Sequence, residues 1–194
     1  MAHAIEAAQY LISETDSSRL AACANEVTFV GRSNVGKSSL INSLCRKDIA
    51  KVSGTPGRTR TINVYAVSHD RWIVDLPGYG YASGPKSETK GWTAMIEGYL
   101  KGRSSLRMIF TLIDAKVGPT KLDVAMIDWL REVGLPYRVV ATKCDQVKAA
   151  KTFAQRRGIA QALGLESNQI SWVSALKGVG MPELRGEVSS LLGY

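Results

Sequence analysis

With 194 residues, 45% of them hydrophobic and 22% charged, the chain has the size and balance of one globular domain with a full core. No apolar run approaches the ~20 residues of a membrane-spanning helix. Three cysteines without CxxC spacing (Cys23, Cys45, Cys144) and only two histidines argue against a disulfide framework or a zinc site, while a formal charge of +8 favours polyanionic partners such as nucleic acid.

The N-terminus has no basic patch followed by an apolar stretch, so a cytoplasmic location is expected. Residues 1–24 read as an arm packing on the domain at the sheet edge, and residues 25–194 as one domain. Residues 26–31 are the first buried strand, and residues 37–46 the helix after it. Residues 61–67 and 71–76 form two strands joined by the short turn Ser68-His69-Asp70, an antiparallel hairpin. Helices are expected near 88–101, 122–133, 148–163 and 182–192, the last opened by Pro182. Strands are expected at 106–114, 137–142 and 170–173. Residues 47–60 and 78–87, rich in Gly, Pro, Ser and Thr, read as irregular, mobile connections. Alternation of apolar strands with amphipathic helices predicts an α/β fold of three layers. Its sheet has six mostly parallel strands, one of them antiparallel, with helices on both faces.

Gly31-Arg32-Ser33-Asn34-Val35-Gly36-Lys37-Ser38 fits G-x-x-x-x-G-K-[ST] between a buried strand and a helix. Glycines let successive N–H groups turn inward onto phosphate oxygens, and the helix N-terminus adds partial positive charge. Lys37 supplies a full charge to the β- and γ-phosphates, and Ser38 a hydroxyl to Mg²⁺. Asp75-Leu76-Pro77-Gly78 also follows an apolar strand. There Asp75 can hold Mg²⁺ through water, and Gly78 can offer its N–H to a γ-phosphate.

Thr142-Lys143-Cys144-Asp145 closes another strand. Asp145 can accept from guanine N1–H and the 2-amino group, a pair of donors that adenine lacks. Lys143 can lay its stem along the base. Ser174-Ala175-Leu176 follows the last strand, where a backbone N–H could meet guanine O6, and Val173 at the strand end is counted with Ser174 and Ala175 as a nucleotide contact. Each motif falls at the carboxyl end of a strand, where open α/β sheets bind ligands.

These segments resemble the G1, G3, G4 and G5 motifs of the translation-factor-related GTPases, and most closely the EngB family (also called YihA or YsxC). The resemblance extends to Ser39-Leu40-Ile41-Asn42, Thr55-Pro56-Gly57-Arg58-Thr59, Tyr79-Gly80-Tyr81-Ala82 and Leu112-Ile113-Asp114-Ala115, and covers residues 8–192. It implies a phosphate-loop GTPase fold that binds GTP or GDP with Mg²⁺. Thr59 would be the Mg²⁺-ligating switch threonine, with Thr55 and Thr61 close enough to be alternatives. Metal ligands would be Ser38, Thr59 and Asp75, and nucleotide contacts would extend through Ser39, Gly57, Arg58, Arg60, Thr61, Leu76 and Pro77. Cys144 departs from the small residue common in the family.

The resemblance also implies a slow GTPase switch in large ribosomal subunit assembly, needed for normal cell division. Its partners would be rRNA and ribosomal proteins of that subunit or its precursor. The chain would be monomeric, with no DNA partner and no membrane insertion. A nucleotide-gated adaptor at the division site or membrane is the alternative. A phosphate-loop kinase is disfavoured by the Thr142–Asp145 motif.

Many GTPases carry a water-orienting glutamine where this chain has Tyr79, so slow intrinsic turnover is expected. The catalytic set would then be Lys37, Thr59 and Asn34, the last either holding K⁺ near the β- and γ-phosphates, as its resemblance to some related GTPases implies, or only shaping the loop. Contacts from Thr59 and Gly78 would order residues 47–60 and 78–87 with GTP and release them with GDP. Tyr79 and Tyr81 are partner-contact candidates and Asp114 a structural residue. Trp72, Trp92, Trp129 and Trp172 are core or core-edge residues. Lys148, Lys151, Arg156 and Arg157 share one helix that reads either as a solvated face or as an rRNA contact.

Overall fold

A computed structural model describes residues 4–51, 61–79 and 86–194, the side chains of 86–93 excepted. Seven strands form one sheet in the order β1-β3-β4-β2-β5-β6-β7. They are β1 (Gln9–Glu14), β2 (Asn25–Gly31), β3 (Ile62–Ser68), β4 (Arg71–Asp75), β5 (Leu106–Asp114), β6 (Tyr137–Thr142) and β7 (Ile170–Trp172). The helices are α1 (Lys37–Cys45), α2 (Lys86–Gly102), α3 (Lys121–Glu132), α4 (Thr152–Leu163) and α5 (Met181–Leu191).

β2 sits at the centre because every residue from Glu26 to Gly31 is buried, which only a strand covered on both faces can satisfy. It pairs in parallel with both β4 and β5. The chain thus builds outward on one side of β2 through β4 and β3, then crosses to β5. That reversal opens a crevice at the carboxyl end of β2.

One face of the sheet packs against α1 and α5 through Phe29, Ile73, Phe110, Leu40, Leu44, Leu184 and Val188. Phe29 and Phe110 stack with centroids 5.0 Å apart. The opposite face packs against α2 and α3 through Val30, Val74, Ile109, Ile96, Tyr99 and Leu130. Ile159, Ala160 and Leu163 of α4 close the β6–β7 end. Trp72 and Trp172 are buried and Trp129 half-buried, as expected for core positions, whereas Trp92 lies outside the described side chains.

The sheet has seven strands rather than six. β3 is the antiparallel member against β4, as expected, and the arm adds β1 antiparallel to β3. Sequence pattern hides β1 because Tyr10, Leu11 and Ile12 are all exposed, so no in–out alternation marks it. A short 3₁₀ turn, Ala4–Ala7, precedes it and buries Ile5 completely.

Helix ends follow local chemistry. α1 stops where Arg46 turns left-handed (φ 50°) and returns its N–H to Asn42. α3 opens on a Thr120–Asp123 capping box. α4 begins at Thr152, after a separate 3₁₀ turn over Ala149–Lys151, and ends at Gly164 with φ 61°.

Candidate guanine nucleotide site

Three chain segments meet at the carboxyl edge of β2. In the phosphate loop, Asn34 (φ 65°) and Gly36 (φ 97°) are left-handed, which turns the loop back over the start of α1. Val35 N–H donates to Arg32 C=O at 3.2 Å, and Leu40 N–H makes the first intrahelical bond, to Gly36. The N–H groups of Lys37, Ser38 and Ser39 in the first turn therefore have no helical acceptor, which suits the helix start to an anion. Ser38 and Ser39 are half-buried.

The Asp75–Gly78 segment lies directly on this loop. Tyr79 N–H donates to Gly31 C=O at 3.1 Å, and Ser33 N–H donates to Tyr79 C=O at 3.2 Å. The Ser33 N–H, expected to serve phosphate, is thus committed to Tyr79. A Cβ on Gly78 would lie 2.9 Å from Ser33 N, so only glycine permits this approach. Leu76 and Pro77 are buried beneath it; Leu76 packs in the core and donates its N–H to Phe29 C=O, holding the segment rather than offering a contact.

Lys37 and Asp75 form an ion pair, with side chains 8% and 3% exposed. Burial pushes the Asp75 carboxyl up, and the Lys37 ammonium opposes that shift. These are the groups expected to meet phosphate and Mg²⁺, and here each satisfies the other. The donor set fits both ligands: phosphate would replace the carboxylate at Lys37 while a cation replaced the ammonium at Asp75, so neither buried charge would be left alone.

The base motif is stitched to the phosphate loop. Thr142 Oγ1 donates to Val35 C=O at 2.6 Å, and Lys143 Nζ donates to Asn34 C=O at 2.7 Å. Lys143, itself left-handed (φ 56°), also bonds Asp114 Oδ2 at 2.9 Å. Asp114 Oδ1 accepts from the N–H groups of Lys116 and Val117. Burial works against ionisation there, but Lys143 and the two N–H groups outweigh it and hold the carboxyl below its ordinary value. Asp114 therefore positions Lys143, a more specific part than a structural strand end.

Asp145 is exposed on the 3₁₀ turn Cys144–Gln146, and Cys144 is half-buried, its N–H donating to Val173 C=O. Val173 N–H is used by Ala141, and Ser174 N–H by Val179. Ser174 Oγ accepts from Lys177 N–H. Among the described residues no acceptor is found for Ala175 N–H, which leaves Ala175 as the donor suited to guanine O6. A cavity of about 490 Å³ opens between α1 and the Ala175–Leu176 segment, bordered by Ser39, Asn42, Ser43, Ala175 and Leu176.

Gly57, Arg58, Thr59 and Arg60 lie outside the described residues, as do Thr55 and Tyr81. Thr61 is described, and its hydroxyl donates to Asn63 Oδ1 at the start of β3. Asn34 has an exposed side chain.

Two positions escaped sequence reading. Asn42 clips residue 50 from both sides: Asn42 Nδ2 donates to Ala50 C=O at 2.9 Å and Ala50 N–H donates to Asn42 Oδ1 at 2.7 Å. Asp123, fully buried, accepts from Tyr79 Oη at 2.8 Å and from Arg32 Nε at 3.1 Å. The T-x-x-D spacing of Thr120 and Asp123 is a helix-cap signature and carries no mark of this second use.

A family model described as "50S ribosome-binding GTPase" matches residues 26–143. A probable GTP-binding protein EngB of Clostridium botulinum is 48% identical over 162 residues, covering 82% of both chains. Its counterpart in Thermotoga maritima is 44% identical over 170 residues, covering 86% of both. The chain belongs to the EngB family of GTP-binding proteins. The crystal structure of a probable GTP-binding protein EngB shares the fold at a TM-score of 0.70, with 24% identity over 86% of this chain and 98% of that one.

In this EngB-family chain, Tyr79 is not a partner-contact candidate. It is 9% exposed, and burial together with Asp123 raises its hydroxyl well above the ordinary phenol value. Arg32 is likewise engaged with Asp123, so its contribution to the loop is backbone rather than guanidinium.

Proposed function

We propose that the chain is a guanine nucleotide switch with slow intrinsic hydrolysis, acting in the cytoplasm in assembly of the large ribosomal subunit. The observation that carries the nucleotide part is the pair of bonds from Thr142 and Lys143 to the carbonyls of Val35 and Asn34. They join the base motif and the phosphate loop into one rigid frame, which sets the span from base to phosphates.

Within that frame Asp145 would accept from the guanine edge and Ala175 N–H would donate to O6. Adenine would leave the carboxylate without a donor. Lys37 would leave Asp75 for the phosphates, and the free N–H groups of the first α1 turn would bind their oxygens. Ser38, Asp75 and, by family resemblance, Thr59 would hold Mg²⁺, which when bound neutralises charge on the β- and γ-phosphates. Gly78 packs against the backbone of Ser33, and its N–H would meet a γ-phosphate there. No side chain at position 79 can orient an attacking water, since the Tyr79 hydroxyl is turned to Asp123. Turnover on the order of 10⁻⁴–10⁻³ s⁻¹ is expected. Asn34 as part of a K⁺ site would raise it, and equal rates in KCl and NaCl would sink that assignment.

The ribosomal part is supported by the description of the matching family model and by the charge of +8. A role in cell division follows from the same resemblance. Cosedimentation with large ribosomal subunits under a GTP analogue, GDP and no nucleotide tests it. Retention only with the analogue is expected; binding indifferent to nucleotide would overturn the switch. Multiple-turnover hydrolysis that ribosomal particles do not stimulate would favour the nucleotide-gated adaptor.

A further inference from the structure

The largest exposed aromatic surface among the described residues is Phe153, 79% exposed at the start of α4. Leaving such a side chain in water forgoes about 2 kcal/mol of burial. Its surroundings are one-sided in charge. Residues 146–165 contain Lys148, Lys151, Arg156 and Arg157 and no acid, half of the net charge of +8. A solvated helix face commonly alternates signs at i,i+4 spacing, and this one does not.

All four cations are exposed, and none has a described carboxylate within salt-bridge distance. Arg156 lies over the Trp172 ring at 4.9 Å, which leaves Lys148, Lys151 and Arg157 uncommitted. The acids that bound the stretch are spoken for. Asp145 belongs to the base motif, and Glu166 caps the turn before β7.

We infer that the start of α4, with Phe153 at its centre, is a docking surface for single-stranded RNA. Cations meet phosphates, and an exposed aromatic offers a stacking platform to an unpaired base. Duplex RNA keeps its bases stacked inside and gains nothing from Phe153. A membrane surface fits less well. An interfacial helix needs a broad apolar face, and the apolar side of α4 (Ile159, Ala160, Leu163) is buried against the sheet. The preference for RNA over single-stranded DNA rests on the ribosomal reading above.

The test is fluorescence anisotropy of the full chain with labelled 12-nucleotide single-stranded RNA, the same RNA as a duplex, and single-stranded DNA. Phe153→Ala should weaken single-stranded RNA about tenfold and leave the duplex unchanged. Three phosphate contacts predict a log–log salt slope near −2, falling to about −0.7 in Lys151→Ala/Arg157→Ala. No response to either variant, or tighter binding to anionic vesicles than to RNA, overturns the surface. Equal affinity for DNA overturns the choice of RNA. Labelled GDP affinity, read on the same samples, should not move in these variants. Intact GDP binding without RNA binding rejects this surface alone, whereas loss of GDP binding in the unmodified chain rejects the switch.

Discussion

At the residue scale, specificity and acid stability come down to single carboxylates. On the proposed reading, Asp145→Asn would remove a charged acceptor for two guanine donors, each worth about 1.5–3 kcal/mol. Competition against labelled GDP should show at least about a 100-fold loss, with xanthine nucleotides gaining relative to guanine because the amide can donate to a carbonyl. Asp114 carries a pH dependence. Its folded value lies below the ordinary 3.8, so the folded state binds fewer protons than the unfolded one. Its stabilisation is whole at neutral pH and drains as pH falls through 4 toward the folded value. Asp114→Asn should therefore flatten the stability curve below pH 4 in urea titrations, and should weaken GDP because Lys143 loses a partner. Lys37→Ala strands a buried carboxylate at Asp75. A loss of roughly 3–5 kcal/mol is expected at neutral pH. It should shrink as pH is lowered and Asp75 is protonated, since a raised folded value favours the protonated state.

At the element scale, the joint between the phosphate loop, the Asp75–Gly78 segment and α3 is made by Asp123. Tyr79→Phe removes one bond to a charged acceptor and should cost about 1.5–3 kcal/mol in chemical denaturation. Hydrolysis should change less than twofold, because the Tyr79 hydroxyl points at α3 and not at the reacting phosphate. A large fall in kcat at unchanged nucleotide affinity would contradict that placement. Asp123→Ala is expected to be more damaging, since Arg32 loses its acceptor and Thr120 its capping partner together.

At the scale of the whole molecule, the arm closes the sheet. β1 covers the free edge of β3, and Ile5 and Ala8 are fully buried beside α1. Deleting residues 1–14 removes one large core side chain, worth about 2–5 kcal/mol, and exposes the β3 edge. A lower melting temperature and concentration-dependent association by light scattering are the expected outcomes. Nucleotide binding by the folded fraction should persist, because among the described residues the arm contributes no side chain to the phosphate loop or the base motif.

The phosphate loop by itself determined phosphate chemistry: its glycines, Lys37 and Ser38 act through local backbone geometry, which spacing along the chain encodes. Asp145 pointed to guanine only together with the other motifs, since a carboxylate at one strand end is weak alone and the order of the motifs along the chain carries the reading. Central strands were legible because burial on both faces leaves continuous apolar runs, while β1 was not, because an exposed edge strand carries no such pattern. Tertiary structure alone decided the partners across elements. Lys37 faces Asp75, Lys143 reaches both Asn34 and Asp114, and the Tyr79 hydroxyl turns to Asp123. Those pairings join residues from 29 to 109 positions apart. No periodicity marks such contacts, because packing of the sheet against its helices is what brings them together.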